Sequence, residues 1–227
     1  MEGYGWKRKA WARGAPSLWS CRWGKTIKIL HMAETSGHKL NCRKEEVELK
    51  VRISPSRAKI IRKRLAFMGA KGKGGVAESD TYFTAPHRDF IKSRECLRIR
   101  EKNNFLELTY KGRTTGTMAR KKQFWKKEIN IPIRCRRKLA EDFLLNLNFR
   151  KVADVIKKRE IFLLGNTVIA LDNIRNLGWF IEIESSASGR EDRKKALRGN
   201  LDILKKLGLE DKDIINEPYR DLVIKKK

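Results

Sequence analysis

No apolar run in the 227-residue sequence approaches the roughly 18 residues that span a bilayer, and the N-terminal stretch lacks a compact apolar segment of the secretory type. A soluble, cytoplasmic protein with no membrane partner is therefore expected. Cysteine is sparse: Cys21, Cys42, Cys96 and Cys135 lie far apart with no C-x-x-C pair, which suits neither a zinc site nor a dense disulfide framework and fits a reducing compartment. Of the three histidines, His31 and His38 fall near the N-terminus and His87 in a loop-like stretch, so no Ser-His-Asp or Cys-His nucleophile arrangement is evident. Acids are also scarce, 27 Asp and Glu against 54 Lys and Arg, a formal charge of +27. Such a field attracts phosphate on a nucleic acid, an anionic surface or a small polyphosphate, and charge alone does not choose among them.

The length suits one domain with extra chain. Residues 1–43 carry Trp6, Trp11, Trp19 and Trp23 among scattered Lys and Arg, with only Glu2 and Glu34 as acids and no periodicity. They read as a basic, Trp-rich extension without its own core, a disordered arm or sequence ahead of a start near Met32. Interleaved aromatic and basic residues also fit single-stranded nucleic acid, and an acid-poor basic leader fits a transit peptide. From residue 45 the pattern changes, because Glu46, Glu48, Lys50 and Arg52 alternate with Val47, Leu49, Val51 and Ile53 in the period-two signature of a half-buried strand. Ser54-Pro55 then starts a helix that runs to Gly69. Strands are predicted near 76–84, 95–102 and 105–113, followed by a loop over 112–120. The order repeats with a strand at 123–131, a helix at 134–147, strands near 150–164, 167–173 and 178–185, and a last helix over 190–207. Eight strands and few helices predict an α+β architecture, an antiparallel sheet or barrel with helices packed outside.

Same-parity charges are the most informative feature. Arg98/Arg100, Lys111/Arg113 and Lys157/Arg159 form basic faces on the middle strands, while Glu46/Glu48 and Glu182/Glu184 form acidic faces on the first and last. A wet face of an ordinary antiparallel sheet alternates in the same way, although it usually mixes signs. Segregated charge favours two subsites: Glu46, Glu48, Asp172, Glu182 and Glu184 as hard oxygen ligands for Mg²⁺ or Mn²⁺, and the Arg and Lys set as donors to several phosphates.

Glu46-Val47-Glu48-Leu49-Lys50 reproduces the E-x-E-x-K opening of the CYTH family, which joins class IV adenylyl cyclases and thiamine triphosphatases. Asp80-Thr81-Tyr82-Phe83, Leu97-Arg98-Ile99-Arg100, Leu108-Thr109-Tyr110-Lys111-Gly112, Lys157-Lys158-Arg159, Leu171-Asp172 and Phe180-Ile181-Glu182-Ile183-Glu184 follow in the family's order, and Pro218-Tyr219-Arg220-Asp221-Leu222 resembles the cyclase branch. The resemblance covers about residues 44 to 222 and places a CYTH domain at 44–227. It implies an eight-stranded antiparallel barrel, a triphosphate tunnel that uses Mg²⁺ or Mn²⁺. It further implies metal near Glu46, Glu48, Asp172, Glu182 and Glu184, with Glu128 joining them, and phosphate on Lys50, Arg98, Arg100, Lys111 and Arg159, with Arg113 and Lys157 beside them. Lys50, Lys111 and Arg159 are the expected catalytic cations. Asn130 stands where many relatives have a second carboxylate after Glu128. The implied reaction is conversion of ATP to cyclic AMP and pyrophosphate; hydrolysis of thiamine triphosphate, tripolyphosphate or a nucleoside triphosphate is the alternative, and nucleic-acid binding through the arm is a third. A monomer or homodimer is expected.

Overall fold

The computed structural model describes residues 45–112 and 128–226; the extension at 1–43, the strand segment predicted at 123–127 and Arg113 lie outside them. Strand β1 (Glu45–Ile53) opens the chain, and helix α1 (Pro55–Phe67) follows at once. Ser54 caps α1 by accepting from the Arg57 amide at 3.1 Å, and Pro55 occupies the first turn, where a missing N–H costs nothing. Gly69, at φ 76°, ends the helix and turns the chain into β2 (Lys71–Thr84). That strand starts well before the predicted 76. β3 (Cys96–Lys102) and β4 (Phe105–Lys111) form a hairpin whose turn residues, Asn103 and Asn104, both take positive φ, as a tight turn between right-twisted strands requires. β5 (Glu128–Ile133), α2 (Arg137–Asn146), β6 (Arg150–Leu164), β7 (Thr167–Ile174), β8 (Gly178–Ala187) and α3 (Arg190–Lys206) complete the predicted order. A short 3-10 turn (Asp211–Asp213) and a helix α4 (Tyr219–Lys226) come after it. The C-terminal basic stretch is thus helical through Lys226, with Lys225 paired to Glu217 and Lys226 donating to the Asn176 carbonyl.

The eight strands form one antiparallel sheet in the order β1-β8-β7-β6-β2-β3-β4-β5. The predicted barrel is corrected in one respect: among the described residues no backbone ladder joins the edge strands β1 and β5, so the sheet is not closed by hydrogen bonds. It is nevertheless strongly curled. β1 and β4 stand six strand spacings apart, about 29 Å in a flat sheet, yet Lys111 Nζ on β4 lies 3.1 Å from Glu46 on β1.

Alternation decides what each face does. Val47, Leu49 and Val51 point outward and pack with Ile169, Leu171, Ile181 and Ile183 beneath α1 and α3. Burying each such side chain is worth about 1.5–3 kcal/mol, which makes this layer the main source of stability. Asn200 on α3 lies fully buried in it, donating to the carbonyls of Val47 (2.8 Å) and Ile183 (3.3 Å) and accepting from Ser185 Oγ (2.7 Å). A second layer sits under α2, built on Phe83, Leu97, Ile99, Leu106 and Leu144. A third joins Tyr82, Val155, Phe180 and Tyr219 with Leu222 and Val223 of α4. With Val47, Leu49, Leu97, Ile99, Ile181 and Ile183 committed outward, Glu46, Glu48, Arg98, Arg100, Glu182 and Glu184 of opposite parity are turned toward the concave face.

Candidate active site

The concave face encloses a cavity of about 630 Å³, within the usual range for a small-molecule site. All the predicted site residues line it except Arg113, which lies outside the described residues, and Asp172, which lies beneath the floor. Asp172 is 0% exposed, and its oxygens receive Arg159 Nε and Nη2 at 2.7 and 2.6 Å, Lys157 at 3.3 Å and the Tyr219 hydroxyl at 3.1 Å.

Acids and bases interlock across the cavity. Lys50 Nζ lies 2.9 Å from Glu48 and 3.2 Å from Glu182, and its ammonium sits 4.4 Å from the Tyr219 ring centroid. Burial opposes its charge, but Glu48 and Glu182 outweigh burial and raise its pKa. Lys111 pairs with Glu46 at 3.1 Å and Glu128 at 2.7 Å, and Arg159 pairs with Glu182. The pKa of Glu182 is held well below its ordinary value, since Lys50, Arg159 and Lys157 overcome the cost of burial.

Sequence reasoning missed two acids that shape this floor. Glu78 and Asp80 on β2 are 2% and 1% exposed, and the sheet order sets β2 between the basic strands β6 and β3. Asp80 takes Arg100 Nε and Nη2 at 2.7 Å each and lies 3.6 Å from Arg98, while Glu78 lies 3.2 Å from Lys157 and 3.3 Å from Arg100. Burial favours their neutral forms, yet Lys157, Arg100 and Arg159 hold Glu78 low, and Arg98 and Arg100 hold Asp80 low. Their shared parity with Tyr82 was the available signal, but the strand that neighbours them is set by a crossover no spacing reveals.

Two imbalances remain. Among the described residues Arg98 Nε is buried without a hydrogen-bond partner, and the Asp80 contact at 3.6 Å is too long for a hydrogen bond. At the other end carboxylates crowd together. Glu48 sits directly opposite Glu184 in the β1–β8 register, where like charges destabilise. Burial, then Glu48 and Glu182, raise the Glu184 pKa despite Lys111. Burial, with Glu184 and Glu128, raises Glu46 to about 8 against the pull of Lys111.

Among the described residues no three His, Cys, Asp or Glu are already arranged as a metal cage. The donor set still fits a hard divalent cation of the Mg²⁺ kind, which needs one or two carboxylates and completes its shell with phosphate oxygens and water; a cation there relieves the repulsion that a proton otherwise relieves. Tyr82 and Tyr219 are the aromatic liners. Tyr82 is 5% exposed with its hydroxyl on Asp80, and the ring of Tyr219 carries Lys50 and Lys157. His87 is an exposed loop residue outside the cavity, as predicted.

The CYTH domain profile matches residues 44–219. A Methanocaldococcus jannaschii protein named as a candidate adenylate cyclase is 32% identical over 179 residues, covering 78% of this chain and 97% of that protein. The PH1819 protein of Pyrococcus horikoshii superposes with a TM-score of 0.70 at 29% identity over 80% of this chain and 99% of its own. The PH1012 protein of the same organism gives 0.65 at 25% identity over 78% and 99%. With a match over most of its length and charged residues converging on the concave face of an eight-stranded sheet, the chain belongs to the CYTH family.

Proposed function

We propose that this chain is an enzyme that binds a triphosphate in the cavity with Mg²⁺ or Mn²⁺ and, acting on ATP, forms cyclic AMP and pyrophosphate. The observation that carries the reading is Arg98, a buried guanidinium whose Nε has no partner among the described residues and which lies beside Arg100 and Lys111. A fold that leaves a charged donor unsatisfied in its interior loses stability unless a ligand supplies the acceptor. A triphosphate does so for several cations at once. In this reading the curled sheet forms a tunnel around the ligand.

Lys50, Lys111, Lys157, Arg98 and Arg159 bind the phosphate oxygens, with charge aimed where it develops on the non-bridging and leaving oxygens. The interlocked acids hold Lys50, Lys111, Lys157 and Arg159 before substrate arrives, and on binding Lys50 and Lys111 exchange carboxylate partners for phosphate ones. Glu46, Glu48 and Glu184, with Glu128 and Glu182 adjoining, would hold the metal. When bound, it neutralises phosphate charge and polarises the reacting phosphorus centre. Glu46, whose pKa is raised to about 8, can take up a proton at its carboxylate.

A second reading keeps the residues and changes the acceptor: water attacks the terminal phosphorus. It is favoured by the tyrosine rings, since neither liner offers a free face on which a nucleobase could stack. Purified protein incubated with ATP, thiamine triphosphate and tripolyphosphate under Mg²⁺ and Mn²⁺, with products resolved, separates the two. Cyclic AMP and pyrophosphate from ATP support the cyclase; ADP and phosphate without cyclic AMP support the hydrolase; no metal-dependent turnover of any of them removes both.

A further inference from the structure

Arg100 on β3 and Arg159 on β6 are held in the same way by different parts of the chain. Arg100 gives Nε and Nη2 to Asp80, and Asp80 also accepts from the Tyr82 hydroxyl at 3.3 Å. Arg159 gives Nε and Nη2 to Asp172, and Asp172 accepts from the Tyr219 hydroxyl at 3.1 Å. Asp80 comes from β2 and Asp172 from β7, on either side of β6. Both aspartates are at most 1% exposed and neither reaches the cavity, whereas both arginines line it. The carboxylates accept, so each phenol must donate to its aspartate. Each tyrosine therefore pins an aspartate, which pins an arginine.

A guanidinium offers one fork from Nε and Nη2 and a second edge at Nη1. In Arg100 and Arg159 the fork is taken, rotation about the terminal bond is blocked, and only the other edge can address a ligand. Arg98 differs: its Nε has no partner among the described residues.

We propose that Asp80 with Tyr82 and Asp172 with Tyr219 are matched positioning pairs that lock Arg100 and Arg159 as fixed, one-edged cations, while Arg98 keeps the fork that closes on phosphate. The division of labour follows from physics. Donors fixed in advance cost no reorganisation as transition-state charge develops, so they act on turnover; a fork that forms bonds only on ligand arrival acts mainly on binding. The kinetic part rests on the triphosphate reading above, while the locking itself does not.

The test therefore begins without substrate. Nitrogen-detected NMR of the arginine side chains in the ligand-free protein should show slow rotation about the Cζ–Nε bond for Arg100 and Arg159 and fast rotation for Arg98. Asp80→Asn should speed the rotation of Arg100 alone, and Asp172→Asn that of Arg159 alone, each still restrained at Nη2 by Glu78 or Glu182. Tyr82→Phe and Tyr219→Phe, which each remove a single donor and keep the fold, should speed the same two rotations to a lesser degree. In steady-state assays with whichever triphosphate is turned over, each Asp→Asn change should lower kcat roughly 10- to 100-fold, the range seen when an orienting partner is lost, with KM little changed, and Asp80→Glu should restore part of it. Rotation of Arg100 and Arg159 as fast as that of Arg98 in the wild type overturns the proposal. So does a loss confined to KM. A wild type that turns over no triphosphate overturns the proposed function instead and leaves the rotation result standing.

Discussion

Replacing Arg98 by methionine should separate stability from binding. The substitution keeps an unbranched stem and removes the charge. The charge itself is held, since Asp80, Tyr82, Cys96 and Glu128 outweigh burial and raise the Arg98 pKa. Among the described residues, however, its Nε is buried with no hydrogen-bond partner, the Asp80 carboxylate is 3.6 Å away, and its like charge opposes those of Arg100 and Lys111. An unsatisfied buried donor costs about 1–3 kcal/mol. The attraction of Asp80, which lacks a hydrogen bond to Arg98, offsets that cost, and Asp80 keeps both bonds to Arg100 and the one from Tyr82 when Arg98 is gone. Arg98→Met should therefore leave ligand-free stability unchanged or raise it by about 1 kcal/mol, a Tm shift of about 2–4 °C for a chain of this size. A charge-assisted hydrogen bond to phosphate is worth about 1.5–3 kcal/mol, so triphosphate affinity should fall roughly 10- to 100-fold. Thermal melts with and without a non-hydrolysable triphosphate, combined with calorimetric titration, measure both quantities. A variant that melts several degrees lower when empty, or binds the triphosphate as tightly as wild type, refutes the reasoning.

Glu46 gives a pH signature. Its pKa is raised from 4.5 to about 8, so the folded state favours the proton: its contribution to stability is fully present below pH 4.5 and is lost as pH rises through 8. A cation bound there displaces that proton, so Mg²⁺ affinity should climb between about pH 5 and 8 with proton uptake by buffer and level off above; titration in two buffers of different ionisation enthalpy reads it, and a pH-independent affinity contradicts it. Asn200→Leu should cost about 2–4 kcal/mol, because two buried carbonyls and the Ser185 hydroxyl lose a partner at the seam of α3 with β1 and β8. A urea midpoint equal to wild type would show that the seam is held by packing alone.

The parts of the fold legible in the sequence were those with local causes. The alternation from Glu46 to Ile53 announced β1 and its two faces, and Ser54-Pro55 announced α1, because capping and proline geometry act within one turn. The charged lining followed from the same parity argument, residue by residue, through Arg98, Lys111, Lys157 and Glu182. What stayed hidden depended on which strands become neighbours. Because β2 lies between β6 and β3, Glu78 and Asp80 sit among cations that the sequence left crowded against one another. Asp172 looked like one more acid beside Glu182, yet a single pleat of depth and the arrival of Tyr219 from α4 turned it into a buttress for Arg159. Helix α4 itself escaped notice because its short sequence, rich in Lys, shows little periodicity, and tertiary packing of Tyr219 and Arg220 stabilises it.

The central claim is that the charged concave face holds a metal-bound triphosphate. A crystal structure of the protein soaked with a non-hydrolysable ATP analogue and Mn²⁺ tests it most directly. The expected density has phosphate oxygens within hydrogen-bond reach of Arg98, Lys111 and Lys157 and an anomalous Mn²⁺ peak beside Glu46, Glu48 or Glu184. An analogue bound on the outer surface, with Arg98 still unpartnered and no anomalous peak among those glutamates, would contradict it.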